Sequence, residues 1–314
     1  MRVWRSMEEV PADLPRTSVT VGNFDGVHLG HRHVIRRARE VADEAGLGMV
    51  VAVTFDPHPM AVLRPEHAPP TLTTIERRVN LLADAGVDAV LVLPFNREIA
   101  EWSPERFISE ILVGTLHAGA VVVGANFRFG YRASGDVTTM QHQGERLGFR
   151  VEGVPLDGGP QVWSSTYVRN CLASGDVEGA AEALGQPFAV RGHVVEGDKR
   201  GRAMGFPTAN VPTRELHVAP ADGVYAGWLR RLGDPVESRM PAAISVGTNP
   251  TFTGERERRV EAYVLDRDDL ELYGDRVEVC FVARIRGMER FDNVEELVAA
   301  MHRDVAAARR LLDR

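Results

Sequence analysis

The chain has 314 residues, enough for two ordinary domains each with its own buried core, and carries 37 lysines and arginines against 44 aspartates and glutamates, a formal net charge of -7. That acidic balance argues against an extended nucleic-acid interface but leaves room for a local basic pocket on phosphate, so the expected ligand is small. Only Cys171 and Cys280 occur, without zinc-ligand spacing or a disulfide framework, which fits a reducing compartment.

The opening MRVWRSMEEVPADLP places acid and proline where a secretion signal needs a continuous apolar run, and no later stretch reaches the ~20 apolar residues that cross a bilayer. The expectation is a soluble cytoplasmic protein with neither membrane nor nucleic acid as partner. SVTVGNFDG followed by HVIRRAREVADEAG, then MVVAVTFDP, VDAVLVLPF and AGAVVVG, predict a mostly parallel α/β sheet whose functional loops lie at the carboxyl ends of the strands. SSTYVRNCLASGDVEGAAEALG predicts short helices that close this domain, and QPF at 186–188 marks its end, giving domains at 1–185 and 186–314. Beyond it, short β-prone runs separated by Gly, Pro and Asp predict a small antiparallel β-barrel. VEELVAAMHRDVAAARRLL predicts a terminal helix packed on it.

The stretch GNFDGVHLGH at 22–31 follows the first long apolar run. A helix starting near Val27 puts His28 and His31 on one face beside its unpaired N–H groups, which suits an anion. Gly22 and Gly26 allow close approach of phosphate, and Gly30 relieves crowding. The alternative is a tight turn whose histidines cap neighbours or face solvent. Neither a G-x-x-x-x-G-K-[ST] loop nor a G-x-G-x-x-G turn is present here, so the chemistry differs from both.

GNFDGVHLGH, with TFDPHP at 54–59, GANFRFG at 124–130 and WSSTYVR at 163–169, resembles in order and spacing the adenylyltransferase module of bacterial bifunctional riboflavin kinase/FAD synthetases. The resemblance implies a Rossmann-like nucleotidyltransferase domain in which Asn23, His28 and His31 meet ATP phosphates, Gly22 and Phe24 belong to the same cofactor-binding loop, and Asn126 lies near the nucleotide and its metal. Ser164, Ser165, Thr166 and Arg169 would complete the phosphate side, as short hydroxyls at a helix start and an oriented guanidinium suit pyrophosphate. An ordinary N-cap followed by a surface Arg is the alternative. Phe55, Pro57, Pro59 and Phe129 are candidates for an apolar wall against flavin, or for core and loop geometry. His58 reads equally as loop decoration. Many relatives carry an acidic residue where Asn126 stands, which removes a charge from that position.

GRAMGFPTAN at 201–210 resembles the riboflavin kinase signature ending in Pro-Thr-Ala-Asn, and DGVY, SVGTNPTF, RRVEAYVLD, LYG and FVARIRGMERFDNVEEL continue that resemblance. Gly201 and Gly205 could bring backbone donors to phosphate, Pro207 would fix the turn, and Thr208 and Asn210 supply oxygen ligands for Mg²⁺. Lys199 and Arg202 read as phosphate partners or as an exposed charge run. The resemblance places the catalytic base at Glu261, to accept the riboflavin 5′-hydroxyl proton; pairing with Arg258 or Arg259 is the alternative. Ala262 stands where relatives can carry a polar residue. Arg286, Glu289 and Phe291 lie in the segment resembling the flavin and nucleotide flap; core packing of Phe291 and neutralisation of Arg286 or Arg290 by Glu289 are the alternatives. The resemblance implies phosphorylation of riboflavin to FMN and adenylylation of FMN to FAD, with ATP consumed in both steps and Mg²⁺ as cofactor. The competing readings are an adenylyltransferase with a flavin-binding β domain and a flavin carrier or regulator. Basic and apolar surfaces leave room for a transient homo-oligomer but supply no symmetry operator.

Overall fold

In the computed structural model, which describes residues 1–155, 163–196, 205–213, 218–248 and 258–313, the apolar runs of the first half form six parallel strands. These are β1 (Arg2–Trp4), β2 (Thr17–Val21), β3 (Met49–Asp56), β4 (Ala89–Pro94), β5 (Ala118–Gly124) and β6 (Arg150–Val154), in the order β1-β4-β3-β2-β5-β6. Every residue of β2 is buried, because this central strand is covered on both faces. Val19, Val21, Val51, Val53, Leu91 and Val121 point into one core with Trp102, Phe107 and Leu112. The alternate residues Val50, Ala52, Val90, Val92, Ala120 and Val122 point into a second core.

The second core is closed by α1 (Leu29–Glu44), through Val34, Ile35, Ala38 and Val41, and by Leu81 and Leu82 of α3 (Ile75–Asp84); α2 (Pro59–Leu63) lies between them in sequence. Thr74 caps α3 by accepting from Arg77 N at 3.2 Å. Short helices α4 (Arg97–Ala100) and α5 (Pro104–Phe107) lead into a π-helix over Ile108–Thr115, and α6 (Val137–Leu147) ends at Gly148 in the left-handed conformation. The strand order reverses at β2, with β3 and β4 on one side and β5 and β6 on the other. Ligands of open parallel sheets bind in the crevice at such a reversal, outside the carboxyl ends of the strands. The loop Gly22–His28 leaves β2 there, and Ala125 and Asn126 leave β5.

The chain divides into two units, Met1–Ser165 and Thr166–Arg314. Helix α7 (Ser165–Ser174) starts at this boundary and α8 (Val177–Leu184) follows. Both were expected to close the first domain, yet Ala221 N donates to Leu172 O at 2.8 Å, Arg284 Nη1 donates to Ser174 O at 2.8 Å, and these partners belong to the second unit. Strands β7 (Phe188–His193), β8 (Thr208–Pro212), β9 (Gly223–Arg231), β10 (Met240–Gly247), β11 (Arg259–Val264) and β12 (Arg276–Arg286) form an antiparallel sheet in the order β7-β12-β9-β10-β11-β8. It is a curled half-barrel: Val195, just past β7, donates from its N–H to Asn210 O of β8 at 2.9 Å. Phe188, Val211, Tyr225, Ile244, Val260 and Phe281 fill its inner face. Helix α9 (Val294–Leu312) covers part of the outer face, packing Ala308 and Val305 against Ala226 and Ala243. Its start is a reciprocal cap, Asn293 Oδ1 accepting from Glu296 N at 2.8 Å while Asn293 Nδ2 donates to Glu296 Oε1 at 2.9 Å.

Across β7, β12 and β9 the register lines up Arg191, Glu278 and Arg230. Glu278 is 7% exposed and accepts from Arg191 Nε at 2.6 Å and Arg230 Nη2 at 2.9 Å. Truncating Glu278 leaves two largely buried guanidiniums facing each other. E278A should therefore destabilise the protein by about 3 kcal/mol, with E278Q intermediate, in chemical unfolding; an unchanged unfolding midpoint for E278A would contradict this.

Candidate active sites

The first site grows from the carboxyl end of β2. His28 is the N-cap of α1, its Nδ1 accepting from His31 N at 3.3 Å. The two imidazoles stack with centroids 3.6 Å apart and planes 23° apart, and Phe24 meets His31 edge-on at 5.1 Å. A Cβ at position 30 would stand 3.1 Å from the His28 ring and 3.3 Å from Trp163 O, a tight fit in which these neighbours would have to give by a few tenths of an ångström. Burial lowers the His28 imidazole to about 4 despite the opposing charge of Asp25. His31 is held well below its ordinary value, by burial first and then by His28 and Arg78. Both rings are therefore neutral at physiological pH. The Nδ1 of His31 is buried without a hydrogen-bond partner among the described residues.

Beneath the imidazoles lies a polar network that sequence reasoning did not single out. The Asp25 carboxylate, 1% exposed, accepts from Leu72 N at 2.9 Å, Thr73 N at 3.1 Å and Thr73 Oγ1 at 3.2 Å, and lies 3.6 Å from Arg78 Nη2. Arg78, 2% exposed, also donates to Thr54 Oγ1 and Phe55 O, each at 3.3 Å. Thr54 Oγ1 in turn donates to Asn23 O at 3.0 Å, and Ser165 Oγ donates to Asp25 O at 2.8 Å. The network thus brings Asn23 and Ser165, both expected at the phosphate side, onto one loop. Its available signal was Arg78, which occupies the apolar stripe of α3 between Ile75 and Leu82.

The remaining residues of this half fall into two groups. Asn126 is exposed at the end of β5, Gly22 is partly buried beside the Phe24 ring, and Pro57 is exposed at the end of β3. Pro59 opens α2, which His58 caps by accepting from Met60 N at 3.1 Å; His58 is a helix cap rather than loop decoration. Ser164 and Arg169 are partly buried and Thr166 is exposed. Phe129, in contrast, is 8% exposed in the core, 5.4 Å from the stacked ring of Phe127 and 5.6 Å from Phe107. Phe129 thus packs as the core alternative has it, and its contact with flavin stays a proposal.

The second site is set by strand register. Asn210 of β8 lies opposite Glu261 of β11, Thr208 opposite Tyr263, and Glu261 opposite Ser245 of β10. Val260 and Ala262 point into the core, so Thr208, Asn210, Glu261 and Ser245 share the other face of the sheet. Ala262 is 1% exposed on the inner face, turned away from Glu261. Asn210 Nδ2 donates to Thr208 O at 3.0 Å and Thr208 Oγ1 at 3.3 Å, leaving its Oδ1 as the acceptor for a metal or hydroxyl. The preceding loop turns at Gly205, φ 86°, and is anchored by Phe206 between Tyr263 and His302, while Pro207 leads into β8. Gly201, Lys199 and Arg202 lie outside the described residues. Arg258 donates to Asp222 Oδ1 at 2.7 Å and to Pro220 O.

The flap residues are arranged around an ion pair. Arg286 donates through Nε and Nη2 to the two carboxylate oxygens of Asp304 at 2.9 and 2.7 Å, stands 3.8 Å from Glu289, and lies 5.6 Å from the Phe291 ring. Its guanidinium thus joins α9 to the segment carrying Glu289 and Phe291, and its contact with ligand stays a proposal. Asp304 was readable as the one acid in the buried stripe Leu297, Ala300, Asp304, Ala308. Among the described residues, no three His, Cys, Asp or Glu side chains gather as a metal cage. Neutral oxygen donors such as Thr208 and Asn210 still fit Mg²⁺, which is commonly held by few protein ligands and the phosphates of its substrate.

Comparison with known proteins matches each half of the chain to its own family. The FAD synthetase family matches residues 10–166 and the riboflavin kinase family residues 184–312. The bifunctional riboflavin kinase/FMN adenylyltransferase of Escherichia coli (strain K12) is 39% identical over 293 residues, covering 93% of this chain and 91% of its own. That of Pseudomonas fluorescens is 37% identical over 314 residues, covering 99% and 98%. A solved Streptococcus pneumoniae chain described as a macrolide-efflux protein shares the fold with a TM-score of 0.83 at 30% identity, covering 98% of both chains. Among the described residues here, no helix is long and apolar enough to cross a membrane. With both family matches in one chain and relatives of nearly equal length that carry both names, the protein belongs to the bifunctional riboflavin kinase/FMN adenylyltransferase family.

Proposed function

We propose that this chain makes FAD from riboflavin in two ATP-dependent steps at two separate sites: phosphorylation of the riboflavin 5′-hydroxyl to FMN on the face carrying Glu261, and adenylyl transfer to FMN at the His28 loop. The observation that carries the reading is that each family match contains its own polar cluster, the stacked histidines at the end of β2 in one and the Thr208–Asn210–Glu261 sheet face in the other. Small-molecule flavins and ATP are the partners, and the acidic charge with only two cysteines favours the cytoplasm.

In the kinase step Glu261 accepts the hydroxyl proton while that oxygen attacks the γ-phosphorus of ATP, releasing ADP. Thr208 and Asn210 are the residues that would hold Mg²⁺, which when bound offsets phosphate charge. Gly205 and Pro207 shape the approach of the loop, and Glu289 and Phe291 close over the flavin. In the transfer step the FMN phosphate attacks the α-phosphorus of ATP and pyrophosphate leaves. An ionised phosphate needs no strong base and no enzyme nucleophile, so His28 and His31 act as neutral hydrogen-bonding groups toward phosphate oxygens. Gly22, Asn23 and Asn126 line the nucleotide over the buried Phe24, Pro57 and Pro59 wall the flavin beside Phe129, and Ser164, Ser165, Thr166 and Arg169 bind the phosphate side.

Full-length variants followed for riboflavin, FMN and FAD separate the two steps. E261Q should lose riboflavin phosphorylation by roughly 100-fold or more while still converting supplied FMN to FAD. H28A/H31A should accumulate FMN and stop there. A wild-type protein that makes neither product from riboflavin contradicts the whole reading.

Acid offers a second test. The folded His28 titrates near 4 against an ordinary 6.5, so below pH 6.5 the unfolded chain binds the proton and the native state does not. Stability is full above about 6.5 and falls toward pH 4, by on the order of 3 kcal/mol for this residue. Wild type should lose this increment in unfolding measurements between pH 6.5 and 4, and a His28→Gln variant should lose less; equal losses would contradict a buried neutral imidazole.

A further inference from the structure

The loop that presents His28 is strained on both sides of Asp25. Phe24 has φ 48° and Val27 φ 43°, with Gly26 at φ 83° between them. Positive φ is uncommon outside glycine, and for a β-branched residue such as Val27 it persists only when its surroundings overdetermine it. Both Phe24 and Val27 are buried in the core beneath α1. Asp25 stands between these two anchors and is held by the Leu72 and Thr73 backbone, the Thr73 hydroxyl and Arg78. Gly26 N donates to the same Thr73 hydroxyl at 3.4 Å. Arg78 then joins the loop to the end of β3 through Thr54 and Phe55. A charged pair this deeply buried is a poor source of stability compared with apolar packing, which argues that it is kept for placement.

We propose that Asp25 and Arg78 are positioning residues for adenylyl transfer: the pair holds the loop Phe24–His28 in its strained conformation and thereby sets the two stacked imidazoles against the nucleotide phosphates. This rests on the assignment of His28 and His31 to that reaction. Neither Asp25 nor Arg78 touches substrate; both act through backbone geometry. Displacing reacting groups by about 1 Å can cost roughly 100-fold in rate, so loss of the pair is felt as misplacement of phosphate contacts.

The two activities of one chain make the test self-controlled. Full-length D25N, R78M, R78K and T73V are assayed beside wild type for both reactions, with kcat and KM for ATP measured separately. D25N and R78M should lose about 100-fold in kcat/KM for adenylyl transfer, with KM for ATP raised, while riboflavin phosphorylation on the same preparation stays within about twofold. R78K should recover part of the R78M loss, because charge returns without the planar fork. T73V, which removes only the shared hydroxyl, should show a smaller loss of the same pattern and keeps the test informative where D25N does not fold. Variants that phosphorylate riboflavin normally and transfer to FMN within about threefold of wild type overturn the proposal, as does an equal fall in both activities with KM for ATP unchanged. Wild type unable to adenylylate FMN overturns the underlying assignment instead.

Discussion

A parallel strand buried on both faces can present chemistry only where it ends, and there the chain must turn without collapsing onto the sheet. At the end of β2 the buried carboxylate of Asp25 satisfies this constraint. It accepts the backbone donors of Leu72 and Thr73 and faces Arg78, so that the loop is tied down from below while His28 and His31 are stacked at the start of α1. The switch in strand order lies beside β2, the kind of place where open parallel sheets bind ligands; the carboxylate shapes the loop there, and the loop places two neutral imidazoles at a helix N-terminus.

The second unit solves the same problem by register rather than by a buried ion pair. Antiparallel pairing puts Asn210 beside Glu261, and a shift of one residue in either strand would turn one of them into the core. Inner-face residues such as Val211, Val260 and Ile244 resist that shift. The core and the chemistry are therefore alternate residues of the same strands. Helix α9 covers the adjacent part of the outer face and supplies Asp304 to Arg286, which steadies the segment carrying Glu289 and Phe291.

Much of this was legible in the sequence because it follows local patterns. Near-continuous apolar runs foretold the parallel sheet, and short β-prone runs broken by Gly, Pro and Asp the antiparallel sheet. What was missed depends on long-range pairing. Arg78 and Asp25 are 53 positions apart by their numbers, and nothing local says that the one charged residue in the apolar stripe of α3 meets that loop. Phe129 reads the same in a wall as in a core, and its packing on Phe107 and Phe127 is not written in the local pattern. Arg286 could not be assigned to Asp304 without knowing that α9 returns across β12. The helical pattern of α7 and α8 was clear, but the hydrogen bonds of Leu172 to Ala221 and of Ser174 to Arg284 are not encoded in periodicity.

The central claim is that two sites on one chain act in sequence through FMN as a free intermediate. Mixing full-length E261Q with full-length H28A/H31A, neither of which should make FAD from riboflavin alone, tests it most directly. The account predicts that the mixture makes FAD after a lag in which FMN accumulates in solution. A mixture that makes FMN but never FAD, although E261Q converts supplied FMN, would contradict it.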